Sequence, residues 1–175
     1  MVIYIILIGI VFLIILFVIF YLVSHIISFA YGAPYVDSSL KISDEIIDFL
    51  DLKKEDIFYD LGCGSGFILS LVAERKVKKA IGVELSPMAY LMSKIITFKF
   101  KNAQVIYSDF NKIDLSKATV IYCYLFPKPA QKLHVKFAKE LKKGTRVICQ
   151  DFPLKDKKPS LTKKIGRHTL YEFVY

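Results

Sequence analysis

The sequence predicts an α/β domain, a mainly parallel sheet covered by helices, preceded by one long apolar helix. Apolar runs of strand length alternate with helical segments after the first third of the chain, and such alternation indicates parallel strands joined by crossover helices. No Asp, Glu, Lys or Arg occurs before Asp37. We therefore expect an apolar segment over residues 1–30, a linker over 31–40 and one folded domain over 41–175.

The apolar segment is long enough to cross a membrane. Val2 to Val23 carries no formal charge, and as a helix it spans about 33 Å, against about 30 Å for a hydrocarbon core. A cleaved signal peptide is the main alternative, because Ser28-Phe29-Ala30 resembles a cleavage site, although a basic n-region is missing. All 25 Lys and Arg residues follow the span. This predicts a single-pass membrane protein whose domain faces the cytoplasm.

Charge and cysteine content indicate the partners and the redox compartment of the protein. The net charge of +9 lies on the folded domain, which would attract an anionic membrane surface or nucleic acid. Three cysteines, an odd number, fit a reducing compartment better than a disulfide framework. No group of His, Cys or carboxylate residues has metal-ligand spacing, so we expect no metal site. The histidines His25, His134 and His168 are expected to be structural.

The elements of the domain follow in order after a turn-rich linker. Helical spacing of apolar residues begins at Ser43 and runs to Leu50. The expected strands and helices are then Ile57–Leu61, helix Phe67–Arg75, Ala80–Leu85, helix Pro87–Phe98, Gln104–Tyr107, Thr119–Leu125, helix Pro129–Lys142 and Thr145–Gln150. The tail, Leu161–Ile165 and His168–Tyr175 around Gly166-Arg167, predicts an antiparallel hairpin that closes the sheet.

A glycine-rich turn after the first strand predicts the ligand site. In Asp60-Leu61-Gly62-Cys63-Gly64-Ser65-Gly66, the glycines Gly62, Gly64 and Gly66 let the backbone approach a ligand and let the helix pack closely on the sheet. A dinucleotide would bring a pyrophosphate to the helix N-terminus, where Asp60 would repel it. S-adenosylmethionine instead brings an ammonium group and a sulfonium. We therefore predict this cationic cofactor, contacted by Asp60, Cys63 and the glycines.

Two further acidic residues follow strands at the same sheet edge. Glu84 ends the second strand, where a carboxylate can accept the ribose hydroxyl hydrogens. Asp109, beside Phe110, follows the third strand and could receive the adenine amine while the ring is stacked; capping of a helix or turn is the alternative role. Three acids at three successive strand ends strengthen the cofactor prediction.

These motifs resemble those of the class I S-adenosylmethionine-dependent methyltransferases over nearly all of residues 40–175. The stretch from Asp60 to Gly66 resembles the first motif of that superfamily, Gly82-Val83-Glu84-Leu85-Ser86-Pro87 the second and Ser108-Asp109-Phe110 the third. The resemblance implies a Rossmann-like, seven-stranded sheet whose last strand runs antiparallel. That expectation agrees with the hairpin predicted for the tail.

A narrower resemblance concerns the membrane segment and the methyl acceptor. The apolar span, Gly32 to Ser39 after it, and Tyr124-Leu125-Phe126-Pro127 are similar to the small membrane-anchored lysine methyltransferases of the adenine nucleotide translocase and the ATP synthase c-subunit. Tyr35, Tyr124, Phe126 and Pro127 are candidates for the acceptor pocket, because an apolar, aromatic mouth disfavours the charged form of a lysine.

The predicted function is N-methylation of lysine in a membrane protein. Methylation of adenine or glutamine is disfavoured, because the segment after the fourth strand has no Asn/Asp-Pro-Pro-aromatic motif to hold a planar amide or amine. The alternatives are methylation of a lipid or isoprenoid small molecule, methylation of RNA, and a pseudoenzyme that acts as a membrane interaction module. Nucleic acid is thus a possible partner that the sequence does not favour.

Overall fold

The computed structural model describes residues 1–31, 40–155 and 157–175 of the protein. The helices are α1 Val2–Tyr31, α2 Leu40–Leu50, α3 Phe67–Glu74, α4 Pro87–Thr97 and α5 Pro127–Glu140, with a 3₁₀ turn at Phe110–Lys112. The strands are β1 Ile57–Leu61, β2 Lys79–Glu84, β3 Ala103–Tyr107, β4 Val120–Cys123, β5 Arg146–Gln150, β6 Leu161–Ile165 and β7 His168–Val174. The predicted order of strands and helices is confirmed.

Over the described residues, seven strands form one sheet in the order β3-β2-β1-β4-β5-β7-β6. Strands β1 to β5 pair in parallel. The hairpin β6–β7 is antiparallel, and its second strand inserts between β5 and β6. Gly166 supplies the turn with a φ of 57°, a conformation that glycine adopts without strain. The Rossmann-like sheet with an antiparallel closing hairpin is therefore confirmed.

Two hydrophobic cores lie on the two faces of the sheet. One, on the side of α2 and α3, contains Phe58, Leu69 and Ile148. The other, on the side of α5, contains Leu133 and Phe137 among its residues. Because helices cover both faces, the central strands are buried on both sides and read as nearly continuous apolar runs. The free carboxyl edge of the parallel strands is where ligands bind in such sheets.

The connection between β4 and α5 differs from the prediction. Strand β4 ends at Cys123, two residues before Leu125, and α5 begins at Pro127, two residues before Pro129. Proline is favoured at the first helical position because its missing N–H has no partner there in any case. Tyr124 and Phe126 consequently lie in a loop at the carboxyl edge of the sheet.

Helix α1 stands largely free of the domain. The most apolar part of its segment Val2–Ile27 has a mean hydropathy of 3.5 and is not buried against the rest of the chain. By length and composition it could cross a membrane, a test that a signal sequence also passes. It contacts the domain near its C-terminal end, where the buried Ser24 meets the start of α4.

Candidate active site

The glycine turn, residues 62–66, connects β1 to α3 at the carboxyl edge. Gly62, Gly64 and Gly66 all have positive φ angles, of 80°, 55° and 80°. A Cβ atom on Gly66 would lie 2.8 Å from the Cβ of Ser93 on α4, so this glycine also allows two helices to pack closely. A Cβ on Gly64 would meet nothing within 4 Å. The turn therefore presents open backbone at Gly64.

Cys63 lies inside the turn rather than on its open side. Its side chain is buried in the core beside α3, and a Cβ on Gly82 of β2 would approach its Sγ to 2.7 Å. Burial raises the pKa of the Cys63 thiol well above its usual range. A neutral, buried thiol is a poor nucleophile. The Cys63 side chain therefore contributes to the packing of the turn.

Glu84 is buried at the end of β2 and holds the turn in place. Its Oε2 accepts a hydrogen bond from the Gly64 N–H at 2.8 Å, and its Oε1 accepts from the Leu85 and Ser86 N–H groups at 2.9 and 2.7 Å. Burial raises the pKa of Glu84, although these three backbone bonds oppose the shift. Since a carboxylate has about four acceptor positions, this arrangement leaves room on Oε2 for one hydroxyl hydrogen.

Asp60 is the buried acid beside Glu84. Burial, and next the charge of Glu84, raise its pKa to about 8. No hydrogen bond reaches its carboxyl group from the part of the chain that the structure describes. A buried acid without such a partner favours a cationic ligand, which would stabilise its charged form. The site thus fits the ammonium and sulfonium charges of S-adenosylmethionine.

Asp109 and Phe110 occupy the third strand end. Asp109 Oδ1 accepts hydrogen bonds from the backbone and side-chain nitrogens of Asn111, both at 2.8 Å, so the carboxylate caps the 3₁₀ turn. The prediction left this capping role open as the alternative. Phe110 is buried in the core on the α5 side of the sheet. The second oxygen of Asp109 has no hydrogen-bonding partner within the described ranges.

A second group of side chains lies beyond β4 and β5. This acceptor cluster consists of Tyr124, Phe126, Asp151, Phe152 and His168. The Tyr124 ring stacks on Phe152 at 6.3 Å and meets His168 edge-on at 6.1 Å, while Phe126 packs edge-on against Phe152 at 5.9 Å. Burial and then the nearby Asp151 carboxylate raise the pKa of Tyr124 to about 12. Tyr124 is therefore a neutral phenol beside a carboxylate.

Asp151 organises the acceptor cluster. It has a φ of 62°, and its Oδ2 lies 2.7 Å from His168 Nδ1 while its Oδ1 accepts from the Thr169 N–H at 2.9 Å. Sequence reasoning missed Asp151 and Phe152 and expected His168 to be structural. A signal for Asp151 existed, because it follows β5 directly, as Glu84 ends β2, and it is another acid at the same edge.

The two groups are joined by a buried polar strip. Asp60 of β1 pairs in register with Tyr122 of β4, and the Tyr122 hydroxyl hydrogen-bonds to Gln150 Oε1. Gln150 immediately precedes Asp151. Its Nε2 is fully enclosed and has no hydrogen-bond partner within the described ranges. The cofactor acids and the acceptor cluster therefore lie side by side along the same carboxyl edge of the sheet.

The structure does not describe every predicted site residue. Tyr35, and most of the linker 31–40 expected to shape the active-site mouth, lie outside the described residues. Pro127 begins α5 next to Phe126, where it fixes the helix start. Over the described ranges, no group of three or more His, Cys, Asp or Glu side chains is placed to hold a metal ion.

Comparison with known proteins identifies the family. The profile of a family described as the ANTKMT methyltransferase domain matches residues 60–161. The chain belongs to this family. The match begins at Asp60 and includes the glycine turn and every member of the acceptor cluster except His168. The protein is a class I S-adenosylmethionine-dependent methyltransferase, as the sequence predicts.

Individual relatives agree with this membership. A protein-lysine N-methyltransferase of Saccharolobus islandicus is 31% identical over 158 residues, which cover 84% of this chain and 96% of the relative. An adenine nucleotide translocase lysine N-methyltransferase of Mus musculus is 28% identical over 124 residues, which cover 69% of this chain and 54% of the relative. Among solved structures, an RNA methyltransferase of Salinibacter ruber in complex with S-adenosyl-L-homocysteine has a TM-score of 0.75 and 26% identity, over 79% of this chain and 93% of that one.

Proposed function

We propose that this methyltransferase is a membrane-anchored enzyme that N-methylates lysine in a membrane protein. The observation that carries the proposal is the acceptor cluster, in which aromatic rings surround a carboxylate paired with a histidine. Aromatic faces and a carboxylate attract a lysine ammonium group. Relatives named as lysine methyltransferases support the same substrate class.

The acids of β1 to β3 would hold the cofactor, whose sulfonium supplies an electrophilic methyl group. Asp60 would bind the ammonium group of the methionine part, and Gly64 would let the cofactor lie against open backbone. Glu84 would accept one ribose hydroxyl hydrogen at the free position on Oε2. It would accept two if the hydrogen bond from the Gly64 N–H were broken. Asp109 would receive the adenine amine on the oxygen that does not cap the 3₁₀ turn.

The acceptor cluster would prepare the lysine for attack. Presenting a neutral amine at pH 7 costs about 4.6 kcal/mol for a group with a pKa near 10.4. The rings of Tyr124 and Phe126 would exclude water from the amine. With its Nδ1 donating to Asp151, the neutral His168 ring has Nε2 as a proton acceptor. We assign the Asp151–His168 pair to taking the ammonium proton before transfer.

Helix α1 would retain the enzyme at the membrane, with the domain facing the cytoplasm. Supporting this topology, the 25 Lys and Arg residues all follow the apolar segment. Tethering raises the effective concentration of membrane partners. A domain with almost nothing beyond the cofactor-binding fold could thereby find its substrate without a separate recognition domain.

RNA is the second candidate substrate. The solved RNA methyltransferase described above and the net charge of +9 favour it. Against it stands the segment Tyr124-Leu125-Phe126-Pro127, which lacks the carboxamide that would hold a planar base amine. The same test separates both candidates from a lipid acceptor.

The test follows a radiolabelled methyl group. Membranes containing the full chain are incubated with labelled S-adenosylmethionine, and label is measured separately in protein, lipid and RNA. We expect label in protein, and we expect Glu84→Ala to abolish it by releasing both the turn and the ribose. Val135→Ala, on the exposed face of α5, is the matched control that should keep full activity. Label confined to lipid or to RNA would refute the lysine proposal.

A further inference from the structure

Helix α4 carries an apolar stripe on the side that faces away from the sheet. Leu91, Ile95 and Phe98 are 49%, 69% and 84% exposed. Their spacing of four and three residues places them on one face. Ser93 and Thr97, on the opposite face, are fully or almost fully buried. A helix on the surface of a soluble domain normally exposes its polar face, so this orientation is reversed.

The stripe begins where α1 meets the domain. Ser24 Oγ of α1 accepts a hydrogen bond from the Met88 N–H at 3.1 Å and lies 2.5 Å from Ser86 Oγ, at the N-terminus of α4. A cavity of about 300 Å³ beside this contact is lined by Tyr21, His25 and Met92, among others. The first turn of α4 is thus fixed to α1 within three residues of Ile27, the end of the apolar segment.

The length of α1 sets the depth of this contact in a bilayer. Val2–Ile27 is 26 residues, about 39 Å of helix against about 30 Å of hydrocarbon. The excess of about 9 Å leaves the last turns, with Tyr21, Ser24 and His25, at the level of the lipid headgroups, where amphipathic rings are favoured. The start of α4 is fixed to these turns and therefore lies at the same level.

We propose that α4 lies on the bilayer and inserts Leu91, Ile95 and Phe98 into the headgroup and acyl boundary of the leaflet from which α1 emerges. This inference rests on the membrane anchoring proposed above and adds a second, in-plane membrane contact. Lys94, Lys99 and Lys101 flank the stripe, and cations at this position attract anionic headgroups. The partner is thus an anionic lipid surface.

The contact would orient the enzyme. Helix α4 follows directly after Glu84 and Ser86, and Gly66 packs against its Ser93. A helix held flat on the bilayer would therefore fix the height of the cofactor crevice above the membrane. Substrate lysines would have to lie close to the headgroup layer to reach it.

The test uses tryptophan fluorescence, because the chain contains no tryptophan. Three full-length variants, Phe98→Trp on α4, Val135→Trp on α5 and Phe12→Trp within α1, are reconstituted into vesicles of phosphatidylcholine and phosphatidylglycerol with or without brominated acyl chains. Val135 is also exposed, at 55%, but lies on the opposite side of the sheet. The two surface substitutions replace exposed side chains, so folding should be kept.

We expect brominated lipid to reduce the emission of the tryptophan at position 98 by about twofold or more and to leave that at position 135 unchanged. Equal, unquenched emission at 98 and 135 would overturn the proposal. Emission at 98 that is blue-shifted but not quenched would also overturn it, because a second protein copy would then cover the stripe. The tryptophan at position 12 reports separately on the anchor, so a failure of α1 to enter the bilayer is distinguishable from a failure of α4.

Discussion

The two halves of the carboxyl edge are built differently. On the β1–β3 side, backbone N–H groups hold two of the three acids: Glu84 accepts three such bonds and Asp109 accepts one. On the β4–β5 side, side chains pair with each other, as Asp151 does with His168. The backbone contacts of the first half come from the glycine turn and the strand ends, which suits an invariant cofactor. The side-chain contacts of the second half suit a variable acceptor.

This division predicts that damage to one half leaves the other intact. The largest effect is expected for Asp151→Asn, because it removes the charge that orients His168. Asparagine tolerates a positive φ, so the backbone is preserved. We expect kcat to fall by about 10² to 10⁴, while calorimetry shows unchanged binding of S-adenosylmethionine. His168→Gln is the companion variant with the same expected pattern. A wild-type kcat in Asp151→Asn would mean that the β4–β5 half of the edge takes no part in methyl transfer.

A second prediction concerns the glycine turn. Gly66→Ala introduces a Cβ that meets the Ser93 Cβ at 2.8 Å, in addition to its unfavourable φ, so we expect a loss of about 2–4 kcal/mol in the free energy of unfolding. At Gly64 φ is also positive, but an added Cβ would meet nothing within 4 Å. Gly64→Ala should therefore lower the free energy of unfolding by only about 1–2 kcal/mol. Urea denaturation measures both. Equal losses would mean that packing against α4 contributes nothing.

The raised pKa of Asp60 gives a third prediction, a pH dependence on the cofactor side. Burial moves this pKa to about 8, so the folded protein keeps a proton that the unfolded chain releases near pH 4. Stability should therefore fall as pH rises from about 4 to about 8. Cofactor affinity should rise over the upper part of this range, by up to about tenfold per pH unit, because the ammonium group needs the ionised acid.

The control for this pH dependence is Asp60→Asn, which cannot ionise. Calorimetric titrations between pH 6 and 9 should show weaker binding in this variant, with a flatter pH profile. Glu84, whose pKa burial also raises, is present in both proteins, so a flatter profile in the variant reports the Asp60 carboxyl together with its interaction with Glu84. A profile as steep in Asp60→Asn as in the wild type would assign the titration to another group.

The smallest effect is expected at Tyr124. Tyr124→Phe keeps the ring that stacks on Phe152 but removes the hydroxyl beside Asp151. We expect KM for the acceptor to rise only about threefold, the value of one modest hydrogen bond. Tyr124→Leu, which removes the ring, should raise KM for the acceptor more than Tyr124→Phe does. If both variants matched the wild type, Tyr124 would have no part in acceptor binding.

The same contrast explains what the sequence predicts well. The turn from Asp60 to Gly66 is contiguous, and its glycines follow from the close backbone approach that the turn requires, so its position is readable in advance. The carboxyl ends of parallel strands meet at one edge, which brings Glu84 and Asp109 near it. The stacking of adenine on Phe110 stays a prediction, because a ring buried in the core on the α5 side has the same local sequence pattern as a stacking one.

The acceptor cluster could not be predicted in the same way. His168 reaches Asp151 because β7 inserts between β5 and β6, which pairs Gln150 with Leu170. That register depends on the fit of the whole hairpin and leaves no short-range pattern. The early end of β4 at Cys123 likewise frees Tyr124 from the strand that the spacing of apolar residues predicts for it, whereas the same spacing leaves Phe126 between strand and helix.

The most direct test of the account is the identity of the methylated residue. Membrane protein labelled by the full chain is hydrolysed in acid, and the labelled amino acids are separated, for the wild type and for Asp151→Asn. We expect label in methylated lysine from the wild type and almost none from the variant, although both should bind S-adenosylmethionine equally. Label in another amino acid, or undiminished methyl-lysine in Asp151→Asn, would contradict this account.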